Sequence, residues 1–505
     1  VAGYLSRWAI RRGEDHVLEP SCGDGAFLSV CRERLLRLGG SPQNLYGVEA
    51  RPETFKRLAE SYPDTNCLLT DFLDVSPFPV EAVIGNPPYI RLRNLAEPAA
   101  GRAVAVTEKQ GVRMQKSGSL WMPFVVHAAS FLKPGGRLAL VLPFEMTYVK
   151  YALPLWQFLA GNFDAVIVAR IHEDLFPDNE EEVFLLMADG FGRPTGHITY
   201  RLYQTKEDLL GEKPAKSVTI SAGDILKGKR PFVKHLLDQD QISLLAGLEQ
   251  NSLVAPVSRF CKFKTGYVSG DKKFFHPDRQ TRSDFALPEH HLIKSVINSR
   301  QLKGLGLYAD AGHIDSQLYY PACPEAGDRD YIRLGEATGI SSRYKCKIRS
   351  PWYLTPGVTK PDLLLTVFTD QPLLLGNRGR YAASNSLLCG YLTGTGLSAE
   401  DILCRWYNSL TLLSVELQVH ALGGGVLVLI PGEADSIRIP CAGGRVIPGQ
   451  KEFLAEVNLL LRTSDAGRAY EAGDRYVLQE ALGLDPGLVA RLREAIGALR
   501  RWRKK

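Results

Sequence analysis

The chain has 505 residues, 45% of them apolar and 23% charged, the balance of a globular protein of about two to four domains. No apolar run nears the roughly 18 residues of a membrane helix, and no signal peptide opens the chain, although it begins at Val1 and leaves room for a segment upstream. Nine cysteines without a C-x-x-C pair argue against zinc and a disulfide framework and suit a reducing cytoplasm, and the net charge of +6 is uneven: residues 1–200 hold 20 Lys and Arg against 23 Asp and Glu, the remainder 41 against 32. A slightly acidic front and a basic back suggest a catalytic part joined to one that meets a polyanion.

Taken in chain order, the first 200 residues alternate strands with helices. "HVLEP" (16–20) reads as a strand and "AFLSVCRERLLRL" (26–38) as an amphipathic helix; "NLYGVEA" (44–50) and "RPETFKRLAESY" (51–62) repeat the pair. "NCLLTDF" (66–72) and "EAVIGNPP" (81–88) are strands, and residues 90–118 a long polar loop rich in Arg and Lys. "SLWMPFVVHAASFLKPGG" (119–136) reads as one helix stopped by Pro-Gly-Gly, followed by strands at 137–143, 163–171 and 182–188. Such alternation predicts an α/β domain with helices on both faces of a sheet, whose ligands sit at the carboxyl ends of the strands. Beyond a boundary near 200–235 strands and turns come irregularly, and helices are expected at 402–422, 452–463 and 487–505.

The unusual residues fall at the predicted strand ends. "LEPSCGDGAFL" (18–28) leaves the first strand with small residues at Ser21, Gly23 and Gly25, which let a ligand approach the backbone. It is neither a G-x-G-x-x-G loop nor a P-loop. The second strand ends in Glu49, placed for ribose hydroxyls, and the third in Thr70-Asp71-Phe72, a carboxylate and a ring suited to an adenine. Together these describe a site for an adenosine with a short zwitterionic tail. The fourth strand runs into Asn86-Pro87-Pro88-Tyr89, and two residues without a backbone donor cannot go on pairing in a sheet.

With Glu19-Pro20-Ser21-Cys22-Gly23-Asp24-Gly25-Ala26-Phe27, Gly47-Val48-Glu49, Thr70-Asp71-Phe72, Asn86-Pro87-Pro88-Tyr89, "LKPGG" (132–136) and "DLFPDNEEEVFLLM" (174–187) in this order, the chain resembles the class I S-adenosylmethionine-dependent methyltransferases. More narrowly, it resembles the gamma class of adenine-N6 DNA methyltransferases of restriction–modification systems. The resemblance implies a Rossmann-like class I domain with a mixed, mostly parallel sheet at 1–200, binding S-adenosylmethionine and doing the chemistry. An α+β target-recognition domain with a helical C-terminus would occupy 201–505. It implies Glu19, Ser21, Gly23, Gly25, Glu49, Asp71, Phe72 and Asn86 at the cofactor, with Asn86, Pro87, Tyr89 and Phe176 at the target base. The expected partners are double-stranded DNA and, in function, a separate cognate restriction endonuclease; a cytoplasmic monomer without metal or membrane contact is expected.

An adenine amino group is a poor nucleophile because its lone pair is delocalised into the ring. The resemblance implies that the Asn86 side-chain oxygen and the Pro87 carbonyl accept its two hydrogens and redirect the lone pair, without a strong base. Tyr89 would stack on the base and Phe176 would cover its other face, which requires the base to flip out of the duplex. The loop at 90–118, with Arg91, Arg93, Arg102, Lys109, Arg113 and Lys116, is expected to order over the DNA backbone. In the back half "FKTGYVSGDKKFF" (263–275) and "SSRYKCKIRSPWY" (341–353) mix basic residues with rings and suit DNA contacts, or equally a hairpin with solvated lysines. The same planar-nitrogen chemistry leaves open a protein glutamine, RNA, or a cytosine amino group as substrate. A catalytically dead recognition subunit is the reading from another class, and the intact acids at 49 and 71 speak against it.

Overall fold

The structure is a computed structural model that describes residues 1–505 apart from 116, 175–180, 229, 251–252, 368–370, 395, 423–425, 442–446 and 504–505. Packing divides the chain into two units, Val1–His235 and Leu236–Lys504. The first begins with α1 (Ala2–Ala9), β1 (Val17–Glu19), α2 (Ala26–Arg37), β2 (Leu45–Glu49), α3 (Pro52–Ser61), β3 (Asn66–Leu69) and β4 (Val80–Gly85). It continues with α4 (Ala99–Lys109), α5 (Trp121–Ala129), β5 (Leu132–Pro143), α6 (Leu153–Asn162), β6 (Phe163–Ile171), β7 (Val183–Phe191), β8 (His197–Tyr203) and β9 (Lys216–Ser221).

The nine strands form one sheet in the order β3-β2-β1-β4-β5-β7-β6-β8-β9. Five neighbouring pairs are parallel and three, β5–β7, β6–β7 and β8–β9, antiparallel, so the sheet is mixed and mostly parallel as expected. Strand β1 is buried throughout, and β4 in all but Glu81, as interior parallel strands must be when helices cover both faces. From β1 the order runs outward through β2 and β3 on one side and through β4 and β5 on the other. That reversal opens a crevice at the carboxyl ends of β1 and β4, where the two motif loops emerge.

Three local expectations are corrected. The helix expected at 119–136 ends at Ala129, and "LKPGG" belongs to β5, whose register against β4 is irregular between Val80 and Ala82. A left-handed Gly135 (φ +78°) lets the strand make this excursion and resume at Arg137. The stretch at 90–118 is only partly loop: Leu92–Asn94 forms a 3-10 turn, and α4 buries Ala103 and Thr107 of its small-residue face. The helix expected at 402–422 is two helices, Ala399–Trp406 and Ser409–Gln418, because Asn408 caps the second by accepting from the Thr411 N–H at 3.0 Å, and His420–Leu422 is a strand.

The second unit has a four-stranded antiparallel sheet, in order Cys261–Thr265, Leu387–Leu392, Leu363–Thr366 and Leu374–Gly376. A smaller sheet joins Gln317–Tyr319, Leu292–Val296 and Ala382–Ala383. Helices Gln450–Arg462, Ala466–Gly473 and Pro486–Arg503 complete the C-terminal part. Along Cys261–Thr265 the pleat separates the mixed motif: Phe263 is buried while Lys262 and Lys264 face solvent. Tyr267, Phe274 and Phe275 are also core residues. The rings of "FKTGYVSGDKKFF" therefore pack the unit, and its lysines are displayed.

Candidate active site

The loop after β1 starts at Glu19, 1% exposed, whose carboxyl burial pushes well above the usual carboxylate range. Its Oε2 is buried without a hydrogen-bond partner. Gly25 begins α2 in the left-handed region (φ +87°), where a Cβ would lie 2.8 Å from the Tyr62 ring and 2.9 Å from Leu58. Gly23 (φ +54°) has nothing within 4 Å of where a Cβ would stand, so its face is open. Cys22 is a packing residue: its N–H donates to the Val48 carbonyl at 2.9 Å, and burial raises its thiol far above its ordinary value.

Glu49 ends β2 and is 7% exposed. Its Oε2 accepts the Gly23 N–H at 2.9 Å, and its Oε1 accepts the Arg51 backbone N–H and Nε, each at 3.0 Å. The carboxylate thus holds the β1 loop to the end of the neighbouring strand. Asp71 follows β3; its Oδ1 accepts the Leu73 N–H at 3.0 Å and caps a 3-10 turn, and its Oδ2 lies 3.4 Å from Arg102 of α4. Arg102 also reaches Asp74 at 3.2 Å. The structure does not bring the Phe72 ring to the surface. It is 2% exposed, with its centroid 4.8 Å from His127, 5.2 Å from Phe124 and 5.5 Å from Phe131. An apolar ring loses more by staying wet than it gains at a rim, so Phe72 closes the core behind Asp71.

Asn86 emerges exposed at the end of β4, followed by buried Pro87. Ser21 Oγ donates to the Asn86 carbonyl at 2.9 Å and joins the two motif loops. The Tyr89 hydroxyl lies 2.7 Å from Asn86 Oδ1 and 3.1 Å from the Val141 carbonyl of β5, so its one proton is shared between two acceptors. Burial raises the Tyr89 phenol, which stays protonated and a donor. The side chain of Asn86 is therefore braced from β5. Phe176 lies outside the described residues.

One cluster beside this motif escaped the sequence reading. Arg91 donates to Glu145 Oε2 at 2.5 Å and to the Tyr151 hydroxyl at 2.6 Å, while Tyr151 donates to Glu145 Oε1 at 2.6 Å. The Ile90 carbonyl accepts the Leu120 N–H at 2.7 Å and Ser119 Oγ at 3.0 Å. The segment after Tyr89 is thereby fixed to the start of α5 and the turn after β5. Arg91 and Arg102, expected at DNA phosphates, are instead paired with Glu145 and with Asp71 and Asp74. No sequence signal joins Arg91 to a glutamate 54 residues away; the pairing depends on β4 and β5 lying side by side.

Residues 74–176 match the family model of the Eco57I restriction-modification methylase, and residues 229–478 that of the C-terminal domain of Type II methyltransferase M.Eco57I. Type II methyltransferase M.BstVI of Geobacillus stearothermophilus is 24% identical over 315 residues, 52% of this chain and 55% of its own length. Type II methyltransferase M.PaeR7I of Pseudomonas aeruginosa is 23% identical over 496 residues, 87% of this chain and 83% of its own. The chain thus spans little more than half of the first relative and most of the second. Among solved structures, the Type IIL restriction-modification enzyme MmeI in complex with DNA shares the fold with a TM-score of 0.54 at 11% identity, covering 99% of this chain and 75% of that one. With one family model matching the segment that carries Asn86 and the other most of the second unit, the chain belongs to the restriction–modification DNA methyltransferases of the Eco57I type.

Proposed function

We propose that the chain is a site-specific DNA methyltransferase, the modification component of a restriction–modification system. In this reading it methylates the N6 amino group of an adenine turned out of double-stranded DNA, with S-adenosylmethionine as donor. One observation carries it: exposed Asn86 at the end of β4, its Oδ1 braced by Tyr89 and its main chain tied by Ser21 to the open loop after β1.

The loop fits a cofactor of this kind. Gly23 leaves its face open, Glu49 retains lone pairs for hydroxyl donors, and the orphaned Glu19 Oε2 is an acceptor that an ammonium group would satisfy. Asp71 would accept from an adenine amino group on its Arg102 side. When bound, S-adenosylmethionine supplies a methyl group made electrophilic by its sulfonium sulfur.

The chain's own residues then have one task, to present a nitrogen lone pair. Asn86 Oδ1 keeps a second lone pair beside the Tyr89 hydroxyl, and among the described residues nothing donates to the Pro87 carbonyl. Two acceptors on a backbone stiffened by consecutive prolines take the two amino hydrogens and pull the nitrogen toward tetrahedral geometry. The charge that develops on the amine meets these oxygens, and the methylated cation is acidic enough to lose its proton to water, so no side-chain base is needed. Flipping the base costs on the order of a few kcal/mol, which stacking on the Tyr89 ring, at about 1–3 kcal/mol, helps to offset. Phe176 is assigned to the opposite face. The second unit, as target-recognition domain, would present its exposed lysines to phosphates.

The test is transfer of label from tritiated S-adenosylmethionine to unmethylated plasmid, protein and RNA in parallel, followed by nucleoside analysis. The expected product is N6-methyladenine in DNA. Label in protein alone, or N4-methylcytosine, would overturn the assignment. Asn86→Ala should lower transfer by at least about a hundredfold while cofactor affinity survives.

A further inference from the structure

We propose a divalent transition-metal site in the second unit, formed by His290, His291 and Glu325, with zinc as the best-matched ion. One donor atom from each of the three residues lies within 4.8 Å of the others. His290 Nε2 is 3.0 Å from a Glu325 carboxylate oxygen, and the two histidine rings stand 4.3 Å apart, inclined at 59°. Donors on a tetrahedral zinc sit about 3.3 Å apart, so the His290–Glu325 separation already matches and a movement of up to about 1.5 Å brings the pair onto the third donor. Both His290 and Glu325 are exposed side chains with room to make that movement.

The third donor is prepared by what lies behind it. His291 is buried, and its Nδ1 is 2.8 Å from the fully buried Asp328 carboxylate. The same carboxylate oxygen accepts the Glu325 N–H at 2.8 Å, inside the capping box that opens helix Ala326–Ala337. A carboxylate on Nδ1 keeps the proton there and leaves the lone pair on Nε2, the outer-sphere arrangement that metal-bound histidines have. Asp328 thus orients one donor, His291, and positions the residue that carries another, Glu325. Two imidazoles and a carboxylate make a borderline nitrogen–oxygen set that favours zinc, nickel or copper over magnesium or calcium, and three protein donors leave a fourth position for water. Cysteine spacing speaks against a thiolate zinc site, and this site uses no cysteine. Glu325 lies 34 residues beyond His291 in sequence, and the two are brought together because strand Leu292–Val296 pairs with Gln317–Tyr319. A bound ion would join the turn before that strand to the start of the helix.

The experiment uses the whole chain, stripped with a chelator and dialysed. Zinc chloride titration by calorimetry should give one equivalent bound, cobalt(II) should show the intense visible bands of a four-coordinate site, and zinc should raise the thermal midpoint. His290→Ala and Glu325→Gln change exposed side chains and should keep the native circular dichroism while weakening zinc at least tenfold. No binding by the wild-type chain would overturn the site and leave His290–Glu325 a surface hydrogen bond. Binding that persists in both variants and falls in Cys323→Ser, an exposed thiol two residues before Glu325, would also overturn it.

Discussion

At the scale of single residues, the site is a set of acceptors whose orientation depends on donors behind them. Tyr89 shows this: its ring was expected to be the functional part, yet its hydroxyl links Asn86 Oδ1 to β5. Tyr89→Phe keeps the ring and removes the brace. Methyl transfer at saturating cofactor should fall about tenfold, the value of about 1.4 kcal/mol for a single hydrogen bond, while Tyr89→Trp or →Ala would confuse stacking with bracing. An unchanged single-turnover rate in Tyr89→Phe would show that the proline backbone alone orients Asn86. Glu19 offers a pH test. Its folded-state pKa stands above the ordinary value of 4.5 because of burial, so its contribution to stability is complete below that value and is lost as pH rises through the folded one. Glu19→Gln, which cannot ionise, should gain in urea midpoint over the wild type as pH rises above the ordinary 4.5, and should bind the cofactor more weakly. Midpoints that stay parallel across that range would mean that the carboxyl titrates alike in both states.

At the scale of elements, the segment leaving the motif is held by Arg91, Glu145 and Tyr151, which couple the residues after β4 to those after β5. Glu145 is largely buried, so Glu145→Gln removes the charge that three donors, Arg91, Tyr151 and Trp121, face. Folding stability should drop by about 1–2 kcal/mol, read as a lower urea midpoint at constant slope, and turnover should drop with it while cofactor affinity holds. Equal midpoints would show that the cluster is held by the packing around it. The strands of this unit were legible because β-branched and leucine runs such as "VIVARI" can only be buried strands when Gly, Pro and polar turns bound them. The errors came where one residue outweighs a pattern. Pro134-Gly135-Gly136 reads as a helix stop but is absorbed into β5, and Asn408 splits an apolar helical run by capping a new helix.

At the scale of the whole molecule, the excess of positive charge lies in residues 201–505, with 41 Lys and Arg against 32 Asp and Glu. If the second unit holds DNA through phosphates, the association constant should fall linearly in log–log with salt, by a slope of about −0.9 for each phosphate neutralised. A salt-independent constant would place recognition elsewhere. The order of motifs and their strand-end positions were determined by sequence alone, because backbone geometry is local: the consecutive prolines of Asn86-Pro87-Pro88-Tyr89 end a strand in any chain, and the class of chemistry is what the resemblance of these motifs implies. Tertiary structure alone decided which charges are already spent, that Phe72 packs inward, that Ser21 joins two loops 65 residues apart, and that His290 and Glu325 meet. Those outcomes depend on the register and order of strands, and long-range pairing follows from the packing of the whole core, which no short window of residues contains.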